Sequence, residues 1–146
     1  KARGKVYLYI SRIYSLTGLP KGALFAVEGT YSELYAYSNF LIKHFGMIPA
    51  CLSPVNPQSD CFQEQAETLL KGFGLADVFD RDILDVEDAL VFACGSTIAK
   101  LKLKKRCFVG VEIALPSLGY VDVIPKTHLG IEGALLLTEQ IINGMP

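Results

Sequence analysis

The sequence predicts an α/β domain built on a mainly parallel four-stranded sheet with helices on both faces. Two observations carry this. First, short apolar runs recur without polar alternation: Ala23–Val27, Met47–Leu52, Ala89–Ala93 and Cys107–Val111. Such runs suit strands buried on both faces, as in parallel sheets. Second, segments with helical apolar spacing separate these runs throughout. That alternation calls for parallel strands joined by right-handed crossovers.

Composition sets the bounds. A chain of 146 residues can bury one real core. Half of it is apolar (51%) and 20% is charged, which suits a globular domain and argues against disorder. Fourteen basic and fifteen acidic residues leave a net charge of −1, so nothing draws the chain toward nucleic acid or an anionic membrane. No apolar run approaches the ~20 residues that cross a bilayer. The start, Lys-Ala-Arg-Gly-Lys, lacks a signal-peptide layout and an initiator Met, and the end follows a helical pattern closely. A single domain over 1–146, cut from a longer protein, is expected. None of Cys51, Cys61, Cys94 and Cys107 is spaced as C-x-x-C. The expectation is buried, reduced thiols in a cytoplasmic protein, with no metal held by this segment alone.

Taken in order, residues 1–19 place Val6, Tyr9, Ile10, Ile13 and Leu16 at helical spacing. Val6–Ile10 would also make a strand; a helix closed by Gly18 and Pro20 is expected. Ala23–Val27 is the first strand and ends in Glu28-Gly29-Thr30. Thr30 and Glu33 then form a T-x-x-E capping box, a helix-start signal. Leu34, Tyr37, Ser38, Leu41 and Phe45 mark that helix's inner face. Lys43 and His44 sit in its last turn, which explains His44 structurally, and Gly46 suits a left-handed C-terminal residue.

Met47–Leu52 is the second strand, and Pro49 places it at an edge. Ser53–Ser59 is a turn-rich loop. Asp60 with Gln63 makes a weaker box before a helix that runs to Lys71 and closes at Gly72 or Gly74. Ala76–Phe79 reads as a short strand. The acidic stretch from Asp77 to Asp88 reads as a solvated loop and not as a metal site.

Ala89–Ala93 is the third strand. Cys94-Gly95-Ser96-Thr97 reads as a tight turn whose Ser or Thr oxygen caps the next helix, with Ile98, Leu101 and Leu103 on it. Lys100, Lys102, Lys104, Lys105 and Arg106 give that helix a basic, solvated end. Cys107–Val111 is the fourth strand. The last helix covers Leu129–Asn143, with Ile131, Ala134, Leu135, Thr138 and Ile142 on its buried face and Gly144 at its stop.

In such sheets ligands bind at the carboxyl ends of the strands. Candidate residues there are Glu28, Gly29 and Thr30 after strand one, Cys94, Gly95, Ser96 and Thr97 after strand three, and Pro116 after strand four. His128 and Gly130, before the last helix, join them. Helix N-termini at this edge favour anionic groups, and Gly29 and Gly95 let backbone approach a ligand. Glu28, Cys94 and His128 are the titratable candidates for acid–base, metal or ligand roles. The sequence has no G-x-G-x-x-G, P-loop or G-x-S-x-G, which removes support for dinucleotide, Walker-type and α/β-hydrolase chemistry. Ser96, His128 and Asp122 could be assembled into a trio, but any chain of this size supplies one.

Four stretches resemble the nitrogenase component 1 family, which spans molybdenum–iron protein subunits, their cofactor-assembly scaffold relatives and dark-operative protochlorophyllide reductase subunits. Arg3-Gly4 opening a helix, followed by Gly22–Gly29, resembles the family's helix and "GKRVAIYGDPD". Leu41–Met47 resembles "FL-ELGM". Asp88–Leu101 resembles "DLVIGNS" and its helix. Leu129–Ala134 with Glu139, Ile142 and Asn143 resembles the closing "GYEGA…E-I-N". Order and spacing match across nearly the whole chain.

The resemblance implies a three-layer α/β/α Rossmann-like (chelatase-like) fold with strand order 2-1-3-4, as the last domain of a three-domain subunit. It also implies a paired component 1 subunit and an ATP-hydrolysing iron–sulfur reductase as partners. An iron–sulfur or other metallocluster, or a tetrapyrrole, would sit among the domains, and the isolated segment would be inactive. Two departures stand out. Glu28-Gly29-Thr30-Tyr31 replaces the family turn "GDPD". Tyr120 falls where the molybdenum-containing subunit has a cofactor-ligating histidine, and His128 lies eight residues later. Two other readings come from different classes: a non-catalytic metallocofactor-assembly scaffold, and a small-molecule binding domain with its ligand at the strand edge.

Overall fold

The computed structural model describes residues 21–55, 61–104, 109–114 and 130–144. Four strands, β1 (Leu24–Gly29), β2 (Ile48–Pro54), β3 (Ala89–Cys94) and β4 (Val109–Ala114), form one fully parallel sheet in the order β2-β1-β3-β4. The helices are α1 (Tyr31–Phe40), α2 (Cys61–Lys71), α3 (Gly95–Leu103) and α4 (Gly130–Gly144). The α/β/α class and the strand order are those expected from the sequence. The helix expected over residues 1–19, the Asp60 cap, Cys107, Pro116 and His128 lie outside the described residues.

The two faces of the sheet differ in side-chain size. Phe25, Val27, Leu52, Leu90, Phe92 and Val111 point to one face, where Leu34, Leu41, Phe45, Leu137 and Ile141 cover them. Ala26, Cys51, Ala89, Val91 and Ala93 point to the other, under Ile83, Val86, Ile98 and Leu101. Because the central strands are covered on both sides, their sequences run apolar without alternation. Each fully buried Phe or Leu on the large face contributes roughly 1.5–3 kcal/mol of burial free energy.

Local signals fix the elements. At the start of α1 the Thr30 hydroxyl accepts from the Glu33 amide, and the Thr30 amide donates to Glu33 Oε2 at 2.8 Å, so the capping box closes. The helix loosens into one π-helical turn, Leu41–Phe45, and ends at Gly46, whose φ of 65° only glycine adopts cheaply. That turn drives Phe45 and Met47 into the core. Pro49 lies in β2, an edge strand, next to a register shift between Phe25 and Ala26 of its partner. A missing N–H is tolerated at such a place.

The connection from β2 to β3 changes faces. Helix α2 packs on α1 and sends Leu70 into the large-residue cluster, as does Val78 after it, whereas Ile83 and Val86 join the small-residue cluster. Ala76–Phe79 is a 3-10 turn and not the short strand expected. After Gly74 (φ 72°) the chain bonds to itself, Asp80 N–H to Asp77 O at 3.3 Å, and Val78 is the buried contact of the turn. Asp82 caps a second 3-10 turn, Ile83–Asp85, by accepting from the Leu84 amide at 2.9 Å. The acidic stretch is thus local structure, mostly facing water. Asp88 introduces β3 with φ 51°, a left-handed conformation that Asp tolerates better than most residues.

Ile98, Leu101 and Leu103 all lie on α3, as expected; Ile98 and Leu101 anchor it, and Leu103 at its end is 82% exposed. In α4 the buried positions are Thr138, as expected, with Gly133, Leu137 and Ile141 in place of Ala134, Leu135 and Ile142, and Ile131 is half exposed. The helix is apolar nearly all round, so more than one stripe fits helical spacing; packing against β4 selects among them. Thr138 satisfies its buried hydroxyl by donating to Ala134 O at 2.7 Å.

Candidate functional site

Strand β1 leads outward to β2, and β3 leads the other way to β4, so the carboxyl ends of β1 and β3 diverge between neighbouring strands. In open parallel sheets this switch point is where a ligand crevice opens. Glu28, one residue before the end of β1, is paired in register with Ser53 of β2 there, and Cys94 ends β3.

The two side chains meet. Cys94 Sγ lies 3.4 Å from Glu28 Oε1, to which the thiol donates, and 2.9 Å and 3.5 Å from the hydroxyls of Ser96 and Thr97. The sequence singled out all four residues, and the structure brings them together. It corrects their roles, however. Helix α3 begins at Gly95 with no intervening turn, and Cys94 itself, extended at φ −71° and ψ 157°, occupies the N-cap. Ser96 and Thr97 are already in the first helical turn. Their hydroxyls reach back to the sulfur and do not cap.

Several effects act on the Cys94 thiol. Burial pushes its pKa up. Hydrogen bonds from Ser96, from the Thr97 hydroxyl and from the Thr97 amide pull it down, the Glu28 carboxylate opposes them, and the net direction is below an ordinary thiol. A position at a helix N-terminus acts in the same downward sense. The partly exposed sulfur thus titrates below an ordinary thiol while donating to the Glu28 carboxylate. As metal donors Cys94 and Glu28 are a pair, short of the four of a closed tetrahedral site. Among the described residues no three His, Cys, Asp or Glu side chains gather to hold a metal.

Gly29 and Thr30 belong to the α1 cap. A Cβ on Gly29 would meet Glu33 Oε2 at 2.7 Å and Glu33 Cβ at 3.2 Å. The glycine therefore leaves room for the capping box. Gly130 opens α4 with φ 66° and is exposed. It borders a separate cavity between α1 and α4, together with Tyr37 and Gly133. The sequence reading took Tyr37 as a core residue and did not single out Gly133, because only the packing of two distant helices reveals their joint position.

Fold and site together define a parallel α/β domain with Glu28 and Cys94 in contact at its strand switch point. No described helix is long and apolar enough to cross a membrane. No family model matches the chain, and no curated protein matches it. Among solved structures the chain is similar to one described as nitrogenase Cp1 at pH 6.5, with a TM-score of 0.75 and 21% identity over 97% of this chain. The chain spans about a third (32%) of the length of that neighbour. At this identity the likeness establishes a shared fold.

Proposed function

We propose that this chain is a Rossmann-like domain of a nitrogenase-like component 1 subunit. In this reading it helps enclose a metallocluster or tetrapyrrole that is reduced by electrons from an ATP-dependent iron–sulfur reductase in the cytoplasm. The observation that carries the reading is the fold match along 97% of the chain, taken with the four sequence stretches that resemble the same family. Fold alone does not fix chemistry. In this reading the domain supplies a wall of the cluster or tetrapyrrole site, and the Glu28–Cys94 pair lies in that wall at the strand switch point. The test is anaerobic purification of the protein from its native cells through a chromosomal tag, with iron, sulfide and pigment analysis. Bound iron and sulfide, and oxidation–reduction driven by an added iron–sulfur ATPase with ATP, are expected. A colourless, iron-free protein that accepts no electrons from such a reductase would refute the reading.

A further inference from the structure

The groove-like cavity between α1 and α4 shares no lining residue with the Glu28–Cys94 pair and has no part in the proposed function. Its volume is about 320 Å³, within the roughly 300–1,000 Å³ of small-molecule pockets. Its walls are mainly apolar: Phe40 and Tyr37 on α1, Ile113 at the end of β4, and Leu137 on α4, with Ala36 and Gly133 leaving the space open. Among the described residues that line it, Glu33 alone carries a charge.

Two polar groups at its wall have capacity to spare. Glu33 uses Oε2 for both of its capping bonds, from the Thr30 amide at 2.8 Å and the Thr30 hydroxyl at 2.9 Å, and Oε1 takes none among the described residues. The Tyr37 hydroxyl makes no hydrogen bond among the described residues. Its ring is held in place by stacking on Phe92 at 6.0 Å. Burial, and then the nearby Glu33 carboxylate, push its phenol up to about 12, so it stays a neutral donor and acceptor.

One carboxylate, two aromatic rings and an apolar floor, with no opposing cation among the described lining residues, complement a positively charged head on an apolar body. Aromatic faces attract organic cations through their quadrupoles, and the attraction grows when water is excluded. An anion would instead face Glu33, with Gly130 at the N-terminus of α4 as its sole compensation in the described lining. We propose that this cavity binds a small organic ammonium ion, its apolar body between α1 and α4 and its nitrogen beside Glu33 Oε1 and the Tyr37 hydroxyl.

The test uses the purified full-length protein and three probes of similar size: phenethylammonium, the neutral phenethyl alcohol and the anionic hydrocinnamate. Amide NMR titration reads both place and affinity. Saturable shifts at Ala36, Gly133 and Ala134 with phenethylammonium are expected, with affinity at least about tenfold above the alcohol, the equivalent of one modest charge contact. Glu33→Gln keeps the capping box, since Gln serves there as well as Glu, and should bring the ammonium down to the level of the alcohol. Ala36→Leu, at an exposed position on the cavity wall, should abolish the shifts without unfolding the helix. Absence of saturable shifts, equal or tighter binding of the alcohol or the anion, or unchanged affinity in Glu33→Gln would each overturn the proposal.

Discussion

Replacing Gly29 by Ala should destabilise the domain, and should stop doing so once Glu33 is gone. The backbone of Gly29 is not left-handed, so Ala is conformationally allowed. The conflict is with Glu33, whose Oε2 would lie 2.7 Å and whose Cβ would lie 3.2 Å from the new methyl. The carboxylate can swing away, but then it abandons the Thr30 amide and hydroxyl that it holds at 2.8 and 2.9 Å. Losing such a cap costs about 1–2 kcal/mol. The tight Cβ contact adds a few tenths, and Gly→Ala itself returns roughly 0.4–1 kcal/mol by restricting the unfolded chain. The net loss for Gly29→Ala is about 1 kcal/mol. Glu33→Ala alone loses about 1 kcal/mol for the same cap. In the double variant the conflict with Oε2 is absent, the Cβ contact keeps its few tenths, and the gain of roughly 0.4–1 kcal/mol offsets part of the lost cap, so the pair loses roughly 0.5–1 kcal/mol, a coupling of about −1 to −1.5 kcal/mol. Urea unfolding of the four proteins gives the cycle, with single-variant midpoints lower by roughly 0.3–1 M. Equal destabilisation by Gly29→Ala with and without Glu33 would refute the argument and move the cause to strand packing.

Three further outcomes are expected. Iodoacetamide labelling of Cys94 against pH should show a midpoint below that of a free thiol, lowered further by Glu28→Gln and raised by Ser96→Ala; because the folded value is depressed, the associated stability is present above the unfolded thiol pKa and lost as pH falls through the folded one. Cys51, fully buried and donating to Arg81 O at 3.0 Å, is pushed up to about 11 by burial, then by Asp82, against Arg81; its contribution is complete below the unfolded thiol value and lost as pH rises through about 11, so native protein should resist thiol reagents at Cys51 until it unfolds. Asp88→Val should cost about 1–2 kcal/mol in a denaturant titration, since a β-branched residue is strained at φ 51°, whereas Asp88→Asn should be near neutral.

Much of the architecture was legible because it rests on local rules. Strands covered on both faces produced unalternating runs, Thr30 and Glu33 announced a helix three residues apart, Gly46 marked a left-handed end, and Pro49 pointed to an edge. What escaped depended on partners distant in sequence. The buried stripe of α4 was ambiguous because Leu135, Leu136, Leu137, Ile141 and Ile142 surround the helix with apolar choices. Ala76–Phe79 had strand-like residues but no ladder to join. At the switch point the sequence found Glu28 and Cys94 separately, near strand ends. Their meeting at 3.4 Å follows from β1 and β3 being neighbours, a property of the whole sheet. The cavity between α1 and α4 left no local mark, since its hollow comes from Ala36 and Gly133 facing one another across two elements.

The join between β3 and α3, where Cys94 ends one element and Gly95 begins the next, has no slack. A loop would absorb a displacement of the helix; here any push along α3 arrives undamped at the strand, and with it at the Cys94 sulfur. Insertions at this point would rotate the helix by about 100° per residue, as follows from 3.6 residues per turn, and would lift Ile98 and Leu101 off the sheet. The position of the Cys94 sulfur is therefore tied directly to the packing of Ile98 and Leu101 on the sheet.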